Sequence, residues 1–407
     1  MSRHDASPDI PLTFEPTDLE HAADPYALLA SVRAGGPVRQ LASGYWAVTG
    51  HAAALAALRH PRCGTSPIAL RYLDGLPPGA ARDEMSHRIN FLDPPDHPRV
   101  RSIVAKAFTP RRIGELRPWI ERRAEALLDE LRDARDASGE VDVLARFAHQ
   151  LPSLVISELL GVTVADRGRL TGWSDAVAPL LGVRVPPLVK QHAVAAAEEF
   201  HAYLSALLEE RRRAPGDDLL SALLVAEEDG QRLARVELLS LAATLYSAGH
   251  RTTRDLFANG LSVLLRMPGA LGRIAHGEWP VAAVVEEMLR HETPTLFVAR
   301  VPLEPVTIGE AKVGAFEPLL VFLAAANRDP DAYEVPDEFR PGRNGPGALS
   351  FAFGAHFCLG AALARSEAEV MLSAFARRHA DATLARSLRW HQRGPFRGLD
   401  ELVVRLA

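Results

Sequence analysis

One cysteine sits in a setting suited to chemistry. The segment Phe351-Ala352-Phe353-Gly354-Ala355-His356-Phe357-Cys358-Leu359-Gly360 puts Cys358 between two glycines and just before a helical pattern. Glycine lets backbone approach a bulky partner or take positive φ. A sulfur at a helix N-terminus faces free N–H groups and the positive end of the dipole, which favour thiolate over thiol. Phe351, Phe353 and Phe357 can screen such a thiolate from water. A low-pKa thiolate in an apolar nest is what an axial heme-iron ligand requires. A free cysteine also packs as a small buried hydrophobe, so the loop alone leaves both readings open.

Two other patterns bear on the choice. Glu287-Met288-Leu289-Arg290 sets Glu and Arg at i and i+3 on a short helix, a pair worth only about 0.2–0.5 kcal/mol when exposed. Ala248-Gly249-His250-Arg251-Thr252-Thr253 lies near the middle of a proline-free stretch from Arg235 to Met267. Along it Leu238, Leu241, Ala242, Leu245, Ala248, Gly249 and Thr252 recur at three and four residues, a stripe that core packing also produces. Ala248 and Gly249 lack bulk and leave room beside the helix. Thr252 offers a hydroxyl, which a mid-helix threonine can also bond back to its own i−4 carbonyl.

Together these motifs resemble the cytochrome P450 family, the heme-thiolate monooxygenases. The family's ligand signature, Phe-x-x-Gly-x-x-x-Cys-x-Gly, is met by Phe351, Gly354, Cys358 and Gly360. Its Glu-x-x-Arg signature is met by Glu287 and Arg290, and its Phe-x-Pro-x-Arg stretch by Phe339-Arg340-Pro341-Gly342-Arg343. Its Ala-Gly-x-x-Thr signature is met by Ala248, Gly249 and Thr252. The motifs occur in the family's order, and the resemblance runs from about Asp24 to Ala407.

The resemblance implies heme b with Cys358 as axial ligand, and His97, Arg101, Arg300 and His356 as the cations that meet its propionates. The backbone N–H groups of Leu359 and Gly360 are the implied donors to the sulfur. Glu287, Arg290 and Arg343 are implied to form a buried charge network fixing the segment under the heme. Thr252 is implied as the oxygen-activation alcohol, and family pockets nominate Leu245, Ala248, Phe297, Val298 and Phe396 as substrate-facing. The expected reaction inserts one oxygen atom from O2 into a small, partly apolar molecule of specialised metabolism, free or carried on a protein. No flavin or nicotinamide motif is found, so electrons are expected from a separate ferredoxin and its reductase. Arg99, Lys106, Arg111 and Arg112 are candidates for the docking patch.

One residue departs from the pattern. The family usually has Asp or Glu before the threonine, and here Arg251 stands there. Arginine stays charged and cannot relay a proton as a carboxylic acid does. Arg251 can pair with Asp255 one turn on, as a surface salt bridge. Three consequences stay open: protons arrive through waters ordered by Thr252 and Thr253, Arg251 grips an anionic substrate or carrier, or the chemistry needs less proton delivery. The last covers peroxide-driven and oxidative-coupling enzymes. A rival outside catalysis is a heme-thiolate sensor or carrier.

The elements that must position these residues read as mainly helical with a minor β part. Helical patterns cover Pro25 to Arg33, Ala52 to Arg59, Asp96 to Val225 with breaks at Pro110, Gly139, Gly161 and Pro186-Pro187, Arg235 to Met267, Pro280 to Arg290, and Gly360 to His379. A hairpin is expected over residues 37–50, and short β runs around Val298, Val306 and Val313. Cys63 to Met85 reads as a loop with little regular structure, and Asp329 to Gly347 as a meander. We expect a single domain over 24–407 in the cytochrome P450 fold, preceded by an extended arm over 1–23. The chain has 407 residues, 47% hydrophobic and 24% charged, which suits a large globular core. A net charge of −5 gives no global basic field for nucleic acid. No uncharged apolar run reaches the roughly 18 residues of a membrane span, and no targeting signal is seen, so a cytoplasmic protein is expected. With two cysteines, disulfide scaffolds and Cys-only zinc sites are excluded.

Overall fold

A long stretch without proline can run as one helix, and the one from Arg235 is buried along most of its length. The computed structural model describes residues 17–22, 24–182, 185–228 and 230–406. In it Arg235–Leu264 is one unbroken α-helix of 30 residues. Its start is fixed by Glu237, whose carboxylate accepts the Ala234 N–H at 2.7 Å. It packs against the helices Gln150–Leu160, Ala80–His87, Val281–His291 and Ala361–Arg378. The main apolar core spreads from this axis, with Phe147, Tyr246, Phe257 and Phe375 almost wholly buried.

The minor β part lies to one side. Its main sheet orders the strands Val38–Gln40, Trp46–Val48, Leu319–Val321, Val298–Pro302 and Cys63–Gly64. Leu319–Val321 runs parallel to Trp46–Val48, and the other pairs are antiparallel. Thus the hairpin near the N-terminus and strands 250 residues later share one sheet, which brings Val298–Pro302 beside the helical core. Two smaller apolar clusters cover the two faces of this sheet.

Several expectations need correction. Residues 63–85 are not mainly loop: they hold the strand Cys63–Gly64 and the helices Ser66–Leu73 and Ala80–His87. Pro67 falls in the first turn of its helix, where the missing N–H has no intrahelical partner to lose, so it starts the helix instead of breaking it. Of the expected arm, residues 1–16 and 23 lie outside the described residues, and Asp18–His21 is a helical turn with Leu19 fully buried. The strand Glu140–Asp142 was hidden in a stretch read as helical, and it pairs with Val403–Arg405. The meander over 329–347 has no regular helix or strand, as expected.

That meander is held by charge. Arg290 donates two parallel hydrogen bonds to Glu287, Nε to Oε2 at 2.8 Å and Nη2 to Oε1 at 2.7 Å. Arg343 Nε reaches the same carboxylate at 3.1 Å, and the Arg340 N–H donates to it at 2.7 Å. The spare guanidinium N–H groups bond backbone carbonyls: Arg290 to Asn327, Pro336 and Glu338, and Arg343 to Glu334 and Glu338. Glu287 is 3% and Arg290 2% exposed. Asn327 passes the constraint on, accepting the Leu349 N–H at 2.7 Å and donating to Ser350 Oγ at 2.8 Å. The segment ahead of the cysteine loop is therefore tied to the Val281–His291 helix. Glu287→Ala or Arg290→Ala should leave a buried charge unpaired, at a cost of about 3–5 kcal/mol. That is a large part of a domain's roughly 5–15 kcal/mol, so little soluble protein and a much lower melting temperature are expected; ordinary yield and melting in both variants would refute the buried-network reading.

Candidate functional site

A cavity of about 350 Å³ opens between the cysteine loop and the central helix. Cys358, Phe351, Phe357 and Leu363 line one side. Leu245, Ala248, Gly249 and Thr252 line another, so the stripe seen in the sequence divides in two: Leu238, Leu241 and Ala242 are core, and the next two turns face the cavity.

The Cys358 sulfur is open to the cavity and enclosed by protein elsewhere. The loop is pinned by the Cys358 N–H to Phe351 C=O bond at 3.0 Å, and the helix Ala361–Arg378 starts just beyond Gly360. Of the two amides expected to donate to the sulfur, no contribution from the one at Leu359 is found among the described residues, and the one at Gly360 favours the charged form. Burial nevertheless pushes the thiol up, and that amide with the charges of Arg101 and Arg365 only partly offsets it. The helix terminus alone therefore does not yield a thiolate here. A metal cation at the sulfur would, since a coordinating thiol is deprotonated outright. Phe351 and Phe357 flank the cysteine edge to face at 6.4 Å, whereas Phe353 stacks under Arg59 at 4.2 Å.

Beside the sulfur four basic groups converge. The His97 and His356 rings lie 4.0 Å apart. Arg101 donates to the Phe357 carbonyl at 2.6 Å. Arg300, 5% exposed, stands behind the two imidazoles and does not itself line the cavity. Burial, then the charges of Arg300, His97 and Arg101, hold His356 down to about 3. Burial, then Arg101 and Arg300, lowers His97 as well. Burial brings even Arg300 down to about 10. Asp93, kept ionised by the N–H groups of Thr65 and Ser66, favours the charged forms of His97, His356 and Arg300, but it does not outweigh their burial. Such a rim suits a ligand bearing carboxylates on an apolar body, and His97 Nε2, buried with no hydrogen-bond partner among the described residues, has its polar edge in reach. This chemistry fits the two propionates of heme.

On the far wall Thr252 Oγ1 bonds back to the Ala248 carbonyl at 2.9 Å, and Thr253 does the same to Gly249 at 3.2 Å. Ala248 adds little bulk, but the missing Cβ of Gly249 faces Ile156, whose side chain would lie 2.9 Å from it. Gly249 thus serves helix packing as well as cavity space. Val298 and Phe396 line the cavity; Phe297 does not, and packs on Phe322 at 5.5 Å. Phe297 immediately precedes the strand Val298–Pro302, and its side chain joins the apolar cluster of Leu296, Leu320 and Phe322 instead.

Arg251 is not a surface residue. It is 8% exposed, lines the cavity and lies 5.5 Å from the Phe396 ring centre. The expected partner, Asp255, pairs with Arg254 at 2.8 Å instead. The carboxylate that feels Arg251 is Asp175. Burial pushes Asp175 up, but the His250 ring, with Nε2 3.8 Å away, and the charges of Arg251 and Arg254 outweigh it and hold it below the ordinary range.

Two lining residues had no sequence signal. Arg88 lies between the expected 63–85 loop and the helical pattern from Asp96, in a stretch that no sequence pattern marked. Glu367 sits on a helix face where a polar residue reads as solvated, yet its carboxyl is buried and thereby pushed well above its usual value. The candidate docking cations are mostly matched by acids: Arg99 with Glu237 and Asp96, Arg111 with Glu115, Arg112 with Asp217. Lys106 Nζ bonds the Glu227 carbonyl at 2.8 Å.

The chain is similar to known proteins over most of its length. The cytochrome P450 family profile matches residues 77–276 and 281–380. The cytochrome P450 monooxygenase PikC of Streptomyces venezuelae is 37% identical over 401 residues, spanning 95% of this chain and 92% of that protein. The 6-deoxyerythronolide B hydroxylase of Saccharopolyspora erythraea is 37% identical over 392 residues, 94% of this chain and 95% of that one. Among solved structures, CalO2 superposes with a TM-score of 0.90 at 30% identity, covering 97% of this chain and 99% of its own.

The two glycines of the cysteine loop differ in kind. Gly354 has φ +76, and a Cβ there would meet the Leu58 backbone carbonyl at 2.5 Å. Gly360 has φ −82, and its nearest atom would be Cys358 Sγ at 3.9 Å. Gly354→Ala should therefore distort the loop and lower the melting temperature clearly, and Gly360→Ala should fold and melt close to wild type. Equal melting of the two variants would contradict this geometry.

Proposed function

The chain belongs to the cytochrome P450 family, and from that premise we propose that it inserts one oxygen atom of O2 into a neutral, largely apolar specialised metabolite of the polyketide type. It is a monooxygenase, and the family cofactor is heme b on a cysteine thiolate. The observation that carries the site assignment is the convergence of Cys358, Arg101, His97 and His356 on one cavity facing Ala248 and Thr252, with the charge of Arg300 acting on the two imidazoles from outside its lining. When bound, the heme supplies the oxygen chemistry: O2, two electrons and two protons give one inserted oxygen and one water.

The protein's own residues do the rest. Cys358 would hold the group by its sulfur, with the Gly360 amide favouring the charged form of that atom. Arg101, His97 and His356 would meet the propionates, with the charge of Arg300 behind them. Phe351 and Phe357 keep water from the sulfur side. Thr252 keeps its hydroxyl proton on the Ala248 carbonyl and turns oxygen lone pairs to the cavity, which suits it to hold a proton-bearing water at that wall. Electrons come from a separate ferredoxin and reductase. Relatives point to the substrate class, since one is named a 6-deoxyerythronolide B hydroxylase and another a polyketide biosynthesis cytochrome P450.

A second reading rests on Arg251, buried in the cavity wall at the position where the family pattern usually has an acid. It makes the enzyme peroxide-driven, drawing oxygen already carrying its protons. Turnover with ferredoxin, reductase and NAD(P)H compared with hydrogen peroxide separates the two, and no turnover with either would leave a ligand-binding protein.

Two results are expected. Purified protein should carry one heme per chain and, reduced under carbon monoxide, give the red-shifted band of thiolate ligation. Cys358→Ala should abolish that band and Cys63→Ala should keep it; loss of the band in the Cys63 variant alone would overturn the assignment. Thr252→Ala should still consume NAD(P)H but release about 10- to 100-fold more hydrogen peroxide per product, on the scale of a lost general acid–base contribution; unchanged coupling would remove Thr252 from proton handling.

A further inference from the structure

Above the cavity, the segment joining the Ala80–His87 helix to residues 89–91 carries an arginine that the heme site does not use. Arg88 is 5% exposed and forms part of the cavity wall. Its Nη1 is held by Glu84 Oε1 at 2.5 Å, one turn back on the helix. Glu84 is itself fully buried. Its second oxygen lies 3.4 Å from His201 Nε2 on the Pro187–Arg213 helix, and its backbone carbonyl accepts Ser240 Oγ from the central helix at 2.9 Å. Three helices therefore fix the guanidinium in place. Its Nε–H is buried with no hydrogen-bond partner among the described residues. A buried donor left unmade is costly, and in a cavity wall it is what a bound molecule would satisfy.

The charge balance says what kind of molecule. Glu84 already neutralises Arg88. An anionic ligand would add a second carboxylate beside Glu84 in a buried place, whereas a neutral oxygen would complete the donor without a new charge. Arg251, the other cation on that side, has Asp175 in electrostatic reach. The remaining wall here is apolar, with Ile89, Val177, Leu181 and Leu245.

We propose that Arg88, locked by Glu84, is the substrate-orienting donor of this pocket and takes a carbonyl oxygen of a neutral, otherwise apolar substrate. This rests on the monooxygenase reading of the same cavity and adds the group by which the substrate is recognised. Arg88 is a specificity residue here: it touches the substrate away from the reacting carbon and sets which carbon faces the sulfur side.

The test uses the holoenzyme and three probes of similar size: cyclododecanone, cyclododecane and dodecanoate. Calorimetric titration should show the ketone binding about 10- to 100-fold more tightly than the hydrocarbon, the range of a hydrogen bond to a charged donor. The carbonyl stretch of bound ketone should move to lower frequency. Arg88→Met should abolish the preference and the shift and leave hydrocarbon binding unchanged. Because that variant strands Glu84, the double variant Glu84→Leu/Arg88→Met, which removes both charges together, should show the same loss in a stably folded protein. Equal binding of ketone and hydrocarbon by wild type, an unshifted carbonyl, or a preference surviving in the double variant would overturn the proposal. Dodecanoate binding more tightly than the ketone in an Arg88-dependent way would also overturn it, in favour of an anionic substrate. The carbon monoxide spectrum is read on the same samples: a normal band with no ketone preference fails the Arg88 assignment alone, and a missing band fails the heme-thiolate reading.

Discussion

One buried carboxylate, that of Glu287, is shared by two guanidiniums and a backbone amide, and the position of the cysteine loop depends on it. In a medium of low polarity such a group is tolerated only when all its lone pairs are used. Here they are, and the donors come from the Val281–His291 helix and from the meander that no regular hydrogen-bond ladder could hold. The interaction does no chemistry. It converts an irregular stretch of chain into a rigid base, and through Asn327 and Ser350 that base extends to the residues just before Phe351.

The site built on that base is deliberately unbalanced. Basic groups crowd each other at the rim, and burial disfavours both their charged forms and the thiolate of Cys358. Each misfit has the sign that an apolar, doubly anionic group with a central metal cation would correct. The energetic cost of keeping those groups together without a ligand is carried by the surrounding fold, as is usual where a binding site stores preorganisation. Such a site gains order from its ligand, by the same mass action that stabilises any folded state that binds and any unfolded state that does not.

Much of this was legible in the sequence, and the reasons differ by residue. Cys358, Gly354 and Phe351 form a local pattern whose geometry follows from neighbours in the chain, and Glu287 with Arg290 is one turn of helix. The central helix was readable because it contains no proline and its apolar residues recur at the right spacing. Phe297 could not be placed, since which side chains at the start of a strand meet the cavity depends on its pairing with residues 319–321, far along the chain. Arg251 was read as pairing with Asp255 by helical spacing, but the neighbouring Arg254 captures that carboxylate. Arg88 and Glu367 gave no signal because a charged residue predicts exposure, and only tertiary packing buries it. The Ser66–Leu73 helix was missed because a proline that opens a helix looks, in one dimension, like one that ends it, and the Ala80–His87 helix because it starts directly after Pro77-Pro78-Gly79.

The close contact between Gly249 and Ile156 has a consequence for how this pocket can diversify. The two helices meet where a hydrogen atom replaces a side chain, and both residues also border the cavity. The gap between those helices therefore acts as a calliper whose setting is one methyl group wide. A larger residue at 249 cannot simply narrow the chamber; it must either spread the helices or trim Ile156. Changes in chamber shape along this edge are thus expected to arise as compensated pairs, and a lineage that alters one position without the other would drift through a less tightly packed intermediate.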